Sequence, residues 1–124
     1  MALSVLLDSV ILIDHLNGIA AATRYLEAVK EASVSVITRA EVLAGIGHSE
    51  VTAVKEWLDR YSTFAIDRPT ADLAAELRRL YKWKLPDALQ AAVAQRHGLK
   101  LATRNTRDFP PDRHAFVLVP YAST

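Results

Sequence analysis

Hydrophobic positions along the chain follow two patterns. Short, mostly apolar runs alternate with longer stretches in which apolar side chains recur every three or four residues. Leu3–Leu7 is the first such run, followed by Val34–Ile37, Phe64–Ile66, Leu99–Ala102 and Phe116–Val119; Ser4, Ser35 and Lys100 are their only polar residues. Runs this short and this apolar are expected of strands covered on both faces. The periodic stretches predict helices. One spans Ser9–Leu16 and stops at Asn17-Gly18; the next spans Ala20–Ala32 and carries Tyr25, Leu26 and Val29. A third opens at Thr38 and runs toward Gly45 or Gly47. Glu50–Tyr61 bears the stripe Val51, Val54, Trp57, Leu58 and Tyr61. Pro69 starts a helix through Leu80, and Leu85-Pro86 starts another through His97, which Gly98 is placed to end in a left-handed turn. Strands separated by helices imply crossover connections, hence an α/β fold with a short, mostly parallel sheet between two helical layers. No repeat, linker or low-complexity segment interrupts the pattern, so residues 1–124 are expected to form one domain.

Composition narrows the classes. The chain is 51% hydrophobic and 23% charged, a globular balance with material for a core. It has no cysteine, which excludes disulfides and thiolate metal sites and suits a reducing compartment such as the cytoplasm. The start, MALSVLLDSV, lacks a basic segment and its apolar run breaks at Asp8, so no signal peptide is expected. Nor is there an uncharged run of membrane-spanning length. The net charge of +1 divides unevenly: residues 1–62 carry −3 and residues 63–124 carry +4. A basic half favours a polyanion such as nucleic acid, although solvated helix faces give the same imbalance.

Candidate chemistry lies at element ends. Asp8 interrupts the apolar run VLLDSVILID, where an unpaired carboxylate would be costly. Glu41 falls in the first turn of the helix after Val34–Ile37, and Asp87 in the first turn of the helix opened by Pro86. Asp108 follows Leu99–Ala102 after the polar loop Thr103-Arg104-Asn105-Thr106-Arg107. A parallel sheet can bring all four to the edge where such sheets bind ligands, the carboxyl ends of the strands. An all-oxygen cluster suits Mg²⁺ or Mn²⁺. Each acid also has a purely local reading. Asp8 can cap a helix; Thr38-x-x-Glu41 matches a capping box; Asp87 favours a helix N-terminus; Asp108 can close an Asx-turn. Asp14 is read as a surface or terminal charge, and His15, His48, His97 and His114 as surface residues without metal-binding spacing. Nucleotide-binding glycine loops and a G-x-S-x-G elbow are absent. Tyr25, Trp57, Tyr61, Tyr81 and Trp83 are read as core or interface rather than as base-stacking platforms.

Four blocks together resemble the PIN-domain ribonucleases, specifically VapC-type toxins of toxin–antitoxin pairs. They are LLDSVILIDHL (6–16), TRAEVLAGI (38–46), LPDALQAAVAQRHGLKLATRNTRDF (85–109) and VPY (119–121). The resemblance implies an α/β/α sandwich and Mg²⁺- or Mn²⁺-dependent cleavage of structured RNA, such as transfer or ribosomal RNA, leaving 5′-phosphate and 3′-hydroxyl ends. It implies Asp8, Glu41, Asp87 and Asp108 as the acidic quartet, with Thr103 and Asn105 as the polar residues beside the last acid. A VapB-type antitoxin and a homodimer are implied as partners. Ser9 or Thr103 is expected to hydrogen-bond a carboxylate or the phosphate and Asn105 to shape its loop; Arg104 and Arg107 are candidate phosphate contacts, with solvated loop arginines as the alternative. Leu43, Ile46 or Trp57 is expected in an antitoxin groove. The chain departs from the family at Val10, where Ser or Asn is frequent, and at Gln90, where an aliphatic residue is frequent. Two rival readings are a catalytically silent PIN-like RNA-binding module and a phosphoryl-accepting signalling domain. The latter wants paired acids after the first strand and a late lysine at the site, whereas Asp8 precedes Ser9 and Lys100 opens its strand.

Overall fold

The computed structural model describes residues 4–122. Five strands and six helices alternate: β1 (Val5–Leu7), α1 (Ser9–Leu16), α2 (Ala20–Ala28), β2 (Ala32–Ser35), α3 (Val36–Ala44), α4 (Val51–Leu58), β3 (Ser62–Phe64), α5 (Arg68–Tyr81), α6 (Leu85–Arg96), β4 (Lys100–Ala102) and β5 (Val117–Leu118), with a 3₁₀ turn at His48–Glu50. The sheet is parallel throughout, in the order β3-β2-β1-β4-β5. The expected start of β1 at Leu3 lies outside the described residues.

Side-chain alternation along the short strands divides the core in two. Leu6, Leu101 and Val117 pack with Leu77, Trp83, Phe109 and the alanines of α6 on one face. Val5, Leu7, Val34 and Ala102 pack with Leu12, Val42, Val54 and Leu58 on the other. Helices therefore cover both faces of the central strands, and β1 is buried along its whole length, whereas the edge strand β3 stays exposed at Ser62 and Thr63. Ala88, Ala91, Ala92 and Ala94 are all fully buried, so α6 lies close on the sheet and on α5.

Boundaries shift at three places. Helix α2 ends at Ala28 and not Ala32, because Ala32 pairs with Val5 and starts β2. Strand β2 ends at Ser35. Val36 and Ile37, strand-like by composition, are helical because the Ser35 hydroxyl accepts from the amides of Ile37 and Thr38 and caps α3. The capping box expected from Thr38 and Glu41 therefore does not form. Thr38 lies inside the helix and its hydroxyl donates to the Leu7 carbonyl at 3.1 Å. Strand β3 starts at Ser62 and ends at Phe64, where pairing with β2 places it. Gly98 ends the α6 segment at φ +64° and Gly18 closes the turn after α1 at φ +81°, conformations that cost a residue with a Cβ.

The order 3-2-1-4-5 reverses direction between β1 and β4. The crevice beyond the carboxyl ends of that pair is where open α/β sheets bind ligands.

Candidate active site

Asp8 follows directly on β1 and Thr103 directly on β4, so the reversal of strand order brings them together. The Thr103 hydroxyl donates to Asp8 Oδ2 at 2.7 Å. Asp8 also caps α1, its Oδ1 accepting from the Ser9 amide at 2.9 Å. Gln90 supplies the third bond, from Nε2 to Asp8 Oδ1 at 3.3 Å. All three donors are neutral. Burial pushes the Asp8 carboxyl above the usual range, and the Thr103, Gln90 and Ser9 bonds only oppose it.

Gln90 joins three elements. Its amide nitrogen also donates to Thr38 Oγ1 and its carbonyl accepts from Ser35 Oγ, both at 2.5 Å. It is 1% exposed, amid the buried alanines of α6 and three residues past Asp87. Sequence reasoning marked it only as a departure from the family; the available signal was a lone polar residue on a helix face otherwise buried. It restores a polar group beside Asp8 that Val10 does not provide.

The other three acids surround this centre. Asp87, in the first turn of α6, lines a cleft of ≈ 410 Å³ with Asp8, Ser9, Val10, Arg104, Asn105 and Arg107. Desolvation, then the charges of Asp8, Asp108 and Glu41, raise its carboxyl to about 6, against partial relief from Lys84. Glu41 is exposed on α3. Desolvation raises its carboxyl, Ser9 opposes and the charge of Asp8 adds. Asp108 is held by Asn105, which donates from Nδ2 to Asp108 Oδ2 at 3.0 Å, while the Asn105 amide donates to Thr103 Oγ1 at 3.0 Å. A single polar relay thus runs from Asp8 through Thr103 and Asn105 to Asp108.

The cluster fits a hard divalent cation by its chemistry. Its donors are carboxylate oxygens, their charges repel one another, and Asp87 makes no side-chain hydrogen bond among the described residues, so it is free to turn. Among the described residues no three acidic or histidine side chains are yet gathered around one point. Closing the set requires movement of the exposed Glu41 and the half-buried Asp87, not of the fixed Asp8.

Three expectations are corrected. Asp14 is not a surface charge: it is 7% exposed. Arg104 is committed to it, donating from Nε at 2.6 Å and Nη2 at 2.9 Å, and the Tyr121 hydroxyl donates at 2.8 Å. Arg104 therefore anchors the loop after β4 instead of standing free for a phosphate, and its bond holds the Asp14 carboxyl below the usual range. Nor are all histidines surface residues. His15 and His114 are half-buried, the first against Trp57 and Thr23, the second among Tyr81, Trp83 and Phe116. Arg107 remains exposed at the cleft, and Lys100 lies at the opposite edge of the sheet.

Comparison with known proteins follows the same geometry. Residues 5–111 match the PIN domain profile. The chain is 33% identical over 114 residues to ribonuclease VapC10 of Mycobacterium tuberculosis, covering 86% of each protein. A toxin–antitoxin complex from Klebsiella pneumoniae contains a chain 37% identical, with TM-score 0.90, covering 97% of this chain and all (100%) of that one. FitAcB from Neisseria gonorrhoeae shares the fold at TM-score 0.77 and 24% identity, over 94% and 97% of the two chains.

Proposed function

The chain belongs to the PIN-domain family, among the VapC ribonuclease toxins of toxin–antitoxin systems, and from that premise we propose that it is an Mg²⁺- or Mn²⁺-dependent endoribonuclease. Its substrate is structured RNA, transfer or ribosomal, cut to leave 5′-phosphate and 3′-hydroxyl ends. The observation that carries the reading is that Asp8 and Asp87 line one cleft, with Asp108 and Glu41 near enough for their charges to reach Asp87, and that every hydrogen-bond donor on Asp8 is neutral.

Asp8, Asp87 and Asp108 would hold the cation, with Glu41 a ligand or an orienter of water. When bound, the cation lowers the pKa of water and offsets charge on the phosphate. The protein's residues supply the frame. Thr103 and Gln90 fix Asp8, Asn105 fixes Asp108, and Ser9 lies at the cleft wall within reach of substrate. Arg107 is the phosphate contact. Arg104 holds the loop in place through Asp14. No histidine pair lines this cleft, in keeping with hydrolysis that does not use the 2′-hydroxyl.

A VapB-type antitoxin is the proposed inhibitor, a homodimer the proposed assembly, and the cytoplasm the proposed site of action. Among the described residues no helix is long and apolar enough to cross a membrane. The antitoxin groove is proposed at a cleft of ≈ 350 Å³ lined by His15, Leu26, Trp57 and Tyr61. Induced expression of the wild type beside Asp8→Asn, with mapping of new 5′-phosphate RNA ends, tests the enzyme. Growth arrest with discrete ends in the wild type alone supports it; soluble expression without new ends overturns it in favour of an RNA-binding module.

A further inference from the structure

Beside the acidic cleft lies a second hollow, of ≈ 300 Å³, bordered by Asp108, Tyr81, Lys82, Arg107, Arg113 and His114. Arg107 lines both cavities, so they adjoin. We propose that this hollow is a subsite for one nucleotide of the RNA next to the cleaved phosphate, its base stacked on Tyr81 and its phosphate held by Arg107 and Arg113. The proposal rests on the ribonuclease reading and deepens it.

Three observations favour this occupant. First, charge: Lys82, Arg107 and Arg113 face the hollow, and Asp108 is the sole acid among its lining residues. A polyanion is the complement, and a phosphodiester chain leaving the acidic cleft passes here.

Second, the aromatic platform is exposed and rigid. Tyr81 is 44% exposed although its ring stacks on Trp83 at 4.6 Å and 22°. Beneath it Trp83 is buried and pinned. Its indole N–H donates to the Asp108 carbonyl at 2.7 Å, its own carbonyl accepts from Arg78 at 2.6 Å, and its ring meets Phe109 edge-on at 4.9 Å. A base landing on Tyr81 finds a ring already ordered, so little side-chain entropy opposes stacking. The same indole bond ties the platform to Asp108, so the subsite and the acids keep register.

Third, the backbone carries strain here. Lys82 ends α5 at φ +63°, and among the described residues it is the one non-glycine residue with positive φ. Glycine would relieve that conformation, as it does after α6, whereas a lysine there is strained. The strained position carries a cation over the hollow, within the run Arg78-Arg79-Leu80-Tyr81-Lys82-Trp83-Lys84, where basic and aromatic residues interleave without an acid.

The test uses cleavage-silenced Asp8→Asn protein, Mg²⁺, and total bacterial RNA labelled with 4-thiouridine as the probe. Photocrosslinks are mapped by mass spectrometry. The expected adducts fall on Tyr81–Trp83 and on His114. Tyr81→Ala should weaken RNA retention about tenfold, the loss of one base stack. Arg113→Glu, an exposed change that spares the core, should weaken it further, and Tyr81→Phe should restore it. In the otherwise wild-type enzyme Tyr81→Ala should raise KM with kcat nearly unchanged. Crosslinks elsewhere, with retention untouched in both variants, would overturn the subsite while leaving the nuclease standing. Loss of poly-glutamate peptide binding in Arg113→Glu, with RNA retention intact, would overturn it in favour of an acidic protein partner. If the wild type cleaves no RNA and the Asp8→Asn protein retains none, the ribonuclease reading itself fails, an outcome distinct from both.

Discussion

Helix α1 has a buried carboxylate near each end, and the two sit in opposite electrostatics. Asp8, its N-cap, is 6% exposed; Asp14, in its last turns, is 7% exposed. Burial does not distinguish them, but their partners do. Asp14 has a guanidinium on both oxygens and a phenol besides, and its carboxyl is held below the usual range. Asp8 has three neutral donors, its charge is felt by the carboxyls of Asp87 and Glu41, and burial pushes its own carboxyl up. A carboxylate with its counter-charge inside the fold is structural. One equally buried without it is compensated from outside, by a proton or by a cation. The same loop serves both: Arg104 satisfies Asp14 while its neighbours Thr103 and Asn105 position Asp8 and Asp108.

Exchanging each aspartate for asparagine should separate the two roles. Asp8→Asn is expected to cut RNA cleavage more than about 100-fold, beyond what removal of a ligand's outer partner costs. Its melting temperature without metal should hold or rise, because a desolvated and repelled charge is gone. Asp14→Asn should do the reverse, losing about 2 kcal/mol in urea denaturation. That is below the full cost of breaking a buried pair, since the Arg104 side chain is 32% exposed. Equal stability losses in both variants would break the comparison.

Gln90→Leu sharpens it from the Asp8 side. The substitution keeps bulk but leaves Asp8, Ser35 and Thr38 each one bond short. Mn²⁺ affinity should weaken about tenfold, read by calorimetry, with a smaller loss of stability.

Proton linkage gives smaller effects of opposite sign. The folded carboxyl of Asp87 is raised from 3.8 to about 6. Between those values the folded state keeps a proton that the unfolded chain releases, so metal-free stability falls as pH rises through that window. A cation competes for the same oxygens, so the Mn²⁺-induced rise in melting temperature should grow as pH climbs past about 6. Asp14 runs the other way. Its folded carboxyl lies below 3.8, so its contribution is complete above that value and is lost as pH falls through the lower one. Acid titration of the Asp14→Asn variant should lack that loss.

Asp8 and Asp87 were legible in the sequence because one stands where an apolar run stops and the other where a helix begins, and a parallel sheet gathers such ends on one edge; Glu41, expected in a first turn, lies in the second turn of α3, which already begins at Val36. What was not legible depends on contacts distant along the chain. Asp14 meets Arg104 and Tyr121, 90 and 107 residues away, and nothing beside it marks it as buried. Gln90 meets Ser35, 55 residues away, and Asp8, 82 residues away. The start of α3 was misread for a local reason: two matching caps lie three residues apart. Ser35 took the role, because Thr38 is drawn to the Leu7 carbonyl by the packing of α3 on β1. Tyr81 and Trp83 look alike in sequence, but one is a covered anchor and the other its open face.

The most direct measurement is calorimetric titration of metal-free protein with Mn²⁺ at pH 7, comparing wild type, Asp8→Asn and Asp14→Asn, each confirmed folded. Binding in wild type and Asp14→Asn, with loss in Asp8→Asn, is the predicted result. Equal binding in Asp8→Asn, or none in the folded wild type, would contradict the claim that Asp8 draws its counter-charge from a bound cation.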